Sequence, residues 1–325
     1  MQVAQQLAEK NALLQTAQAE IHEKNQSLVR ILSENEGLRQ QVSTLSGQVQ
    51  RTPSQLQSQT SSQSEFWEVP REEISLNMQK ILGTGAWGFV VEGKFRGQLV
   101  AVKCLHDMIR EPEFIEIIRK EICIMAQIRH PNLVLLIAAV IDMENDPLVV
   151  TELLDISLRK AYERNLLEGS SKLNIFRDIA SALNYLHLHH HGEIIHRDVS
   201  SANVLLEAKP KNQWKAKLSD FGSAKLAIEA KTTGPGAPVY AAPEVRREMG
   251  LCQTGKVDVY SYGILLCEVT VGQFPMEKRL LSMLQVVQGK WAFMHSLITA
   301  CIRENPNNRP TRSCVLAELD KLQPK

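Results

Sequence analysis

The stretch GTGAWGFVVEGKFRGQLVAVK, residues 83–103, decides the fold. Its GxGxxG opening serves phosphate binding in two unrelated settings. In one, the glycines end a strand and start a helix whose N-terminus meets a pyrophosphate, with an acidic residue about 20 positions on. In the other, they form the tip of a β-hairpin laid over a nucleotide. The residues after Gly88 separate the two. Phe89, Val90 and Val91 are β-formers, Gly93, Arg96 and Gly97 supply turn material, and residues 99–102 are β-rich again. A helix here would carry two interior glycines, each costing roughly 1 kcal/mol relative to Ala. The hairpin is therefore expected. Asp107 lies near the distance at which the first setting places its acid, but it follows a strand pattern ending at Lys103, which is the wrong context.

The 325 residues are 44% apolar, ample for a large core. With 37 basic residues against 36 acidic ones, the charge balance offers no ground for binding nucleic acid or an anionic membrane. Neither an apolar run of about 18 residues nor an N-terminal apolar signal is present, so a soluble, cytoplasmic protein without a membrane span is expected. Cys104, Cys123, Cys252, Cys267, Cys301 and Cys314 show no CxxC spacing and mostly fall inside apolar runs. They read as reduced core thiols.

Residues 1–50 repeat with a period of seven. Leu7, Leu14, Ile21, Leu28, Asn35, Val42 and Val49 share position a, and Val3, Lys10, Ala17, Lys24, Ile31, Leu38 and Leu45 share position d. At about 1.5 Å per residue the helix would extend ~70 Å, with only a partner to bury its seam against. Asn35 at an a position pairs best with its own copy, and Glu34 and Arg39 attract across such a pair, so a parallel homodimer is expected. A solvated helix, favoured by Gly37, Gly47 and the many glutamines, is the alternative. Residues 51–65 are Gln- and Ser-rich, too polar to offset their ordering entropy, and read as a flexible tether. Globular composition returns at Phe66, making 66–325 one domain.

Five ordered motifs then carry a resemblance: GTGAWGFV, AVK with Lys103, HRDVSSAN at 196–203, DFG at 220–222 and APE at 242–244. Together they resemble the eukaryotic protein kinase family from Trp67 to about Leu322. The resemblance implies an α+β, two-lobed fold, with a β-rich N-lobe and a mainly helical C-lobe, preceded here by the coiled-coil helix. It implies ATP and Mg²⁺ as cofactors and protein substrates. Gly83, Gly85 and Gly88 would let backbone N–H groups approach the phosphates, and Val90, Ala101 and Leu205 would sandwich adenine. Thr151 falls at the gatekeeper behind it. Trp87 stands either to cap the γ-phosphate region or to pack as an ordinary aromatic.

By the same resemblance, Lys103 would contact the α- and β-phosphates and Glu121 would hold it in place. Glu116, one turn away, competes, but the spacing to HPN at 130–132 favours Glu121. Asp198 would orient the substrate hydroxyl and accept its proton, while Asn203 and Asp220 would bind the metal. Framework matches are Glu244 with Arg309, Asp258 beneath the HRD turn, and a column of Met125, Leu136, His196 and Phe221. His189, His190 and His191 invite a metal reading, but consecutive helical residues diverge, so a solvated turn is expected.

Ser/Thr kinases usually carry Lys and Thr where this chain has Ser200 and Ala237, and the tyrosine-kinase catalytic-loop motifs are missing too. Pro238 and Tyr240 keep the Ser/Thr arrangement, and WEVPREEISL with DVYSYGILLCEV resembles the tyrosine-kinase-like group. A Ser/Thr kinase is expected; a tyrosine or dual-specificity kinase, or a catalytically weak nucleotide-binding scaffold, is the alternative. Arg197 would pair with a phosphate on the activation segment, where Thr233, before Thr232, is the expected regulatory acceptor. The alternative leaves both threonines as solvated loop residues.

Overall fold

Strand alternation in the first hundred residues of the globular region builds a five-stranded antiparallel sheet. Its strands are β1 (Ile74–Gly85), β2 (Gly88–Phe95), β3 (Gln98–Leu105), β4 (Leu136–Val140) and β5 (Leu148–Glu152), in the order β1-β2-β3-β5-β4. The computed structural model describes residues 66–85, 88–105, 112–141, 147–226, 238–246 and 253–322, and residues 64–325 form one compact unit. The expected coiled coil and tether of residues 1–65, with Trp87, Thr232, Thr233 and Ala237, lie outside the described residues.

The hairpin reading of the opening stretch holds, with one correction. Phe95 pairs with Gln98, so the turn is only Arg96 and Gly97, both at positive φ of 47° and 86°. Two such residues match the twist of the flanking strands. Gly93 is not turn material: it sits inside β2, opposite Leu76 and Val100. A Cβ there would lie 2.7 Å from the Val102 side chain and 2.8 Å from the Ser75 carbonyl, so it is a close-packing glycine.

Because successive side chains alternate faces, β3 sends Val100, Val102 and Cys104 into one apolar layer with Ile74, Val91, Ala138, Val140, Leu148 and Val150. Ala101 and Lys103 necessarily take the opposite face. Helix α1 (Pro112–Gln127) contributes Ile115, Ile118, Ile122 and Met125 to the second, larger core. That core also takes in Leu105, Leu136 and Val149 from the sheet and continues into the helical lobe, so α1 packs between the two.

The second lobe contains β6 (Ile156–Ser157), α2 (Leu158–Glu163), α3 (Gly169–His187), β7 (Ile194–Ile195), β8 (Val204–Lys209), β9 (Gln213–Leu218), β10 (Lys225–Leu226), α4 (Pro243–Arg246), α5 (Lys256–Val271), α6 (Leu280–Lys290), α7 (Ala292–Cys301) and α8 (Arg312–Asp320). Helix α5 is apolar on every side and is buried from Val257 to Thr270, as an all-round apolar helix must be. It is the axis of the lobe. No helix among the described residues is long and apolar enough to cross a membrane.

The chain passes from β5 to β6 at residues 153–155, and residues 130–134 add hydrogen bonds between the lobes. Val134 N–H donates to the Leu218 carbonyl, Leu218 N–H to the Asn132 carbonyl, and the Asn132 amide to the Ala216 carbonyl. The segment between α1 and β4 is thereby tied to β9.

Two expectations need correction. Helix α3 ends at His187, and the following turn leaves His190 and His191 exposed but buries His189 beside Tyr185. His189 is therefore packing, not solvated; three adjacent side chains leaving a helix end point different ways, and one of them faces inward. No cluster of three metal-ligating side chains occurs among the described residues. Cys104, Cys267 and Cys301 are buried thiols outside any disulfide, the last two pushed up to about 12 by burial. Cys314, on α8, is exposed, because that helix turns this side to solvent.

Candidate active site

Lys103 leaves β3 on the face away from the sheet's own core, and its ammonium meets two carboxylates. Nζ lies 3.3 Å from Glu121 Oε1 and 3.3 Å from Asp220 Oδ1. Glu121 comes from α1, whose amphipathic spacing turns it inward. Glu116 instead faces solvent, near Arg119 on the same helix. Burial raises the Glu121 carboxyl, and the charge of Lys103 offsets only part of this. Burial would lower the ammonium of Lys103, but Glu121 and Asp220 together raise it.

Asp220 has a positive φ of 63°. Burial would raise its carboxyl, yet Lys103 and the Gly222 N–H outweigh that and hold it below the ordinary aspartate value. Across from it, residues 196–203 form a tight loop. The Asn203 amide donates to the Asp198 carbonyl at 2.9 Å and to Asp198 Oδ2 at 2.8 Å. That commits the Asn203 nitrogen and turns its amide oxygen away from Asp198. Ser219 N–H donates to the Asn203 carbonyl at 2.8 Å, placing Asn203 and Asp220 side by side. A carboxylate and an amide oxygen are hard donors that suit Mg²⁺, so these two residues fit the ion.

The loop itself hangs on Asp258, at the first turn of α5. Its fully buried carboxylate accepts from the backbone N–H of His196 at 2.9 Å and of Arg197 at 2.8 Å, and it meets His187 Nε2 at 2.6 Å. Burial alone would raise this carboxyl; the hydrogen bonds from His187 and the loop hold it low. The His196 ring is oriented at both nitrogens: Asp198 N–H donates to Nδ1, so Nε2 donates to the Ser219 carbonyl at 3.0 Å. The ring also stands edge-on to Phe221, with centroids 5.1 Å apart, in a core shared with Met125 and Leu136.

The residues expected around adenine lie on three neighbouring strands of the sheet and on β8. Ala101 pairs with Thr151 across β3 and β5, Val90 pairs with Lys103 across β2 and β3, and Leu205 lies on β8. Gly85 pairs with Gly88 at the tip of the β1–β2 hairpin. A Cβ on Gly88 would lie 2.0 Å from the Cys104 carbonyl oxygen, whereas one on Gly83 would meet no atom within 4 Å. Gly88 is thus required by the sheet, and Gly83 leaves room above it.

A family profile described as "Protein kinase domain" matches residues 76–319, more than half of the chain. The chain belongs to the protein kinase domain family. A probable serine/threonine-protein kinase of Dictyostelium discoideum is 33% identical, the match covering 77% of this chain and 28% of the relative. The dual specificity protein kinase shkB of the same organism is 35% identical over 69% of this chain and 34% of its own length. A probable serine/threonine-protein kinase of Arabidopsis thaliana is 34% identical over 79% and 26%. The chain thus spans about a third or less of the length of these curated relatives.

Within the kinase domain, the five polar residues singled out from sequence, Lys103, Glu121, Asp198, Asn203 and Asp220, meet in one cleft. Arg197 is buried beside them with a positive φ of 69°. Burial lowers its guanidinium, and the Asp258 charge opposes this. Sequence reasoning missed His187, and it missed a hub around Glu268 on α5. Its one available signal was a charge standing inside the apolar run GILLCEV.

The Glu244–Arg309 expectation also holds in the kinase domain, with Nη1–Oε1 at 2.6 Å and Nη2–Oε2 at 2.7 Å. Arg309 further donates to the carbonyls of Lys256, Arg303 and Glu304 and lies over the Tyr260 ring. Replacing it removes the partner of a mostly buried carboxylate. The Arg309→Leu change is expected to cost about 3–5 kcal/mol of folding stability. Urea unfolding reads this directly, and an unchanged midpoint would discard the anchor role.

Proposed function

We propose that this kinase domain transfers the γ-phosphoryl group of Mg-ATP to serine and threonine hydroxyls of proteins. The observation that carries the reading is the meeting of Lys103, Glu121 and Asp220 opposite Asp198 and Asn203, a positioned cation and a metal-ligand pair facing a base. Phosphoryl transfer asks a protein mainly for alignment and charge neutralisation. Lys103, held by Glu121, meets the α- and β-phosphates, with Val90, Ala101, Thr151 and Leu205 around the base. Asp220 and Asn203 would hold Mg²⁺, and the ion would supply neutralisation of phosphate charge.

Asp198 does the remaining chemistry. Its Oδ2 is occupied by Asn203, so the other oxygen is the one to accept from the substrate hydroxyl. Burial and the nearby Asp220 charge raise this carboxyl, while His196, Asn203 and Arg159 pull it back. The net rise makes Asp198 a better proton acceptor than an aspartate in water. As the hydroxyl oxygen bonds to the γ-phosphorus and the bond to the β-phosphate oxygen breaks, the hydroxyl proton passes to Asp198.

The relatives named serine/threonine kinases support the choice of hydroxyl, and the relative named dual specificity supplies the second reading. One experiment tests both: ATP labelled at the γ-position, Mg²⁺ and a generic protein substrate, with the phosphoamino acids separated after hydrolysis. Phosphoserine and phosphothreonine are expected. Phosphotyrosine alone would favour the second reading, and no Mg²⁺-dependent label would end the assignment.

The heptads of residues 1–50 further support a parallel homodimer that brings one kinase domain near another. Sedimentation is expected to give a dimer for the whole chain and a monomer for a chain starting at Phe66. Two monomers at micromolar concentration would remove the coiled coil.

A further inference from the structure

We propose that Ser201, three residues beyond Asp198, is a positioning residue that joins the 198–203 loop to the 238–240 segment through Glu268. The role rests on the kinase reading above. Glu268 is a carboxylate with no exposed surface, and three hydroxyls from three different parts of the chain converge on it. Ser201 Oγ donates to Oε1 at 2.6 Å, Tyr162 OH to Oε1 at 2.7 Å, and Tyr240 OH to Oε2 at 2.5 Å.

Arg159, on α2, closes the arrangement from above. Its Nε donates to Ser201 Oγ at 3.1 Å, its Nη2 to Tyr240 OH at 3.3 Å, and its backbone N–H to the Ser201 carbonyl at 3.0 Å. Nε also lies 4.0 Å from Glu268 Oε1, and the guanidinium covers the Phe274 ring. Ser201 therefore spends its one proton on Glu268 and receives one from Arg159. In a buried network each satisfied bond fixes the geometry of the next.

Chemistry gives this linkage a task. Ser201 lies in the loop that carries Asp198, Tyr240 lies in the segment before APE, and Glu268 accepts from both, so the two segments share one buried carboxylate. The segment carrying Asp198 and the segment carrying Tyr240 are thus held to a common point on α5, so a substrate hydroxyl resting on one is in register with the base on the other.

The test uses the whole chain and the variants Ser201→Ala, Tyr240→Phe and the double change, with kcat, KM for ATP and melting temperature measured for each. Ser201→Ala is expected to lower kcat by about ten- to a hundredfold, as small misplacements of a reacting group do, while KM for ATP stays within about twofold. Tyr240→Phe, which keeps its ring, is expected to do likewise, and the double variant to be no slower than the slower single, because both hydroxyls act through one carboxylate. A Ser201→Ala chain with full kcat, or losses that multiply in the double variant, would overturn the role. If Ser201→Ala does not fold, Tyr240→Phe alone decides: full kcat there overturns it. A wild-type chain that transfers no phosphate would remove the proposed function, and this role with it; an active wild type matched by both single variants would remove this role alone.

Discussion

The Asp198→Asn chain is expected to transfer phosphate ~10³-fold more slowly than the wild type while melting at nearly the same temperature. An amide has almost the size of the carboxylate and still accepts from Asn203 through its oxygen, so the loop retains its shape. What it loses is the capacity to take a proton from the substrate hydroxyl. Because burial raises the Asp198 carboxyl above its ordinary 3.8, the wild-type rate falls on acidification at a higher pH than an exposed aspartate would dictate. Above that pH the base is ionised and the rate is independent of it; below it the base is protonated and the rate drops tenfold per pH step, as for any single protonation. The variant's acid limb is expected to vanish. A variant retaining more than a tenth of the wild-type kcat, or retaining the acid limb, would contradict the assignment of Asp198 as the acceptor.

Removing the cation on the other side of the cleft is expected to be of similar size. Lys103→Met keeps a long unbranched side chain between β3 and α1, so no large cavity opens. The loss is electrostatic: a positioned positive charge facing developing negative charge supplies on the order of 10²–10³ in rate, and Lys103 also aligns Asp220. Without it, Glu121 and Asp220 face each other as like charges. Burial and the Asp220 charge already raise the Glu121 carboxyl, so Glu121 is expected to take up a proton more readily in the variant. Steady-state rates with Mg-ATP should show kcat reduced by about 10³, with near-ultraviolet circular dichroism unchanged. Wild-type turnover in this variant would remove Lys103 from the site.

The hairpin at 83–103 was legible because its determinants are local: β-formers in alternation, and two adjacent residues able to adopt positive φ. Gly93 was misassigned because nothing in its neighbours announces that Val102 and Ser75 from two other strands press against it. The same division runs through the site. Lys103, Glu121, Asp198, Asn203 and Asp220 were recognisable as members of ordered motifs resembling the kinase family.

Their partners were not legible, since a hydrogen-bonding side chain carries no mark of which distant group it will meet. His187 looks like the last residue of an amphipathic helix until Asp258 arrives against it from α5. Serine, two tyrosines and an arginine, spread from Arg159 to Tyr240, are unremarkable singly; they become a network only because a glutamate on the buried α5 must be satisfied where it stands. The β2–turn–β3 hairpin followed from strand-forming residues and turn residues alone, and the five polar residues of the motifs from the resemblance of those ordered motifs to the kinase family. Which of three histidines turns inward and which side chains meet Asp258 and Glu268 were decided by tertiary structure, because burial makes polar groups find partners and only packing brings those partners within reach.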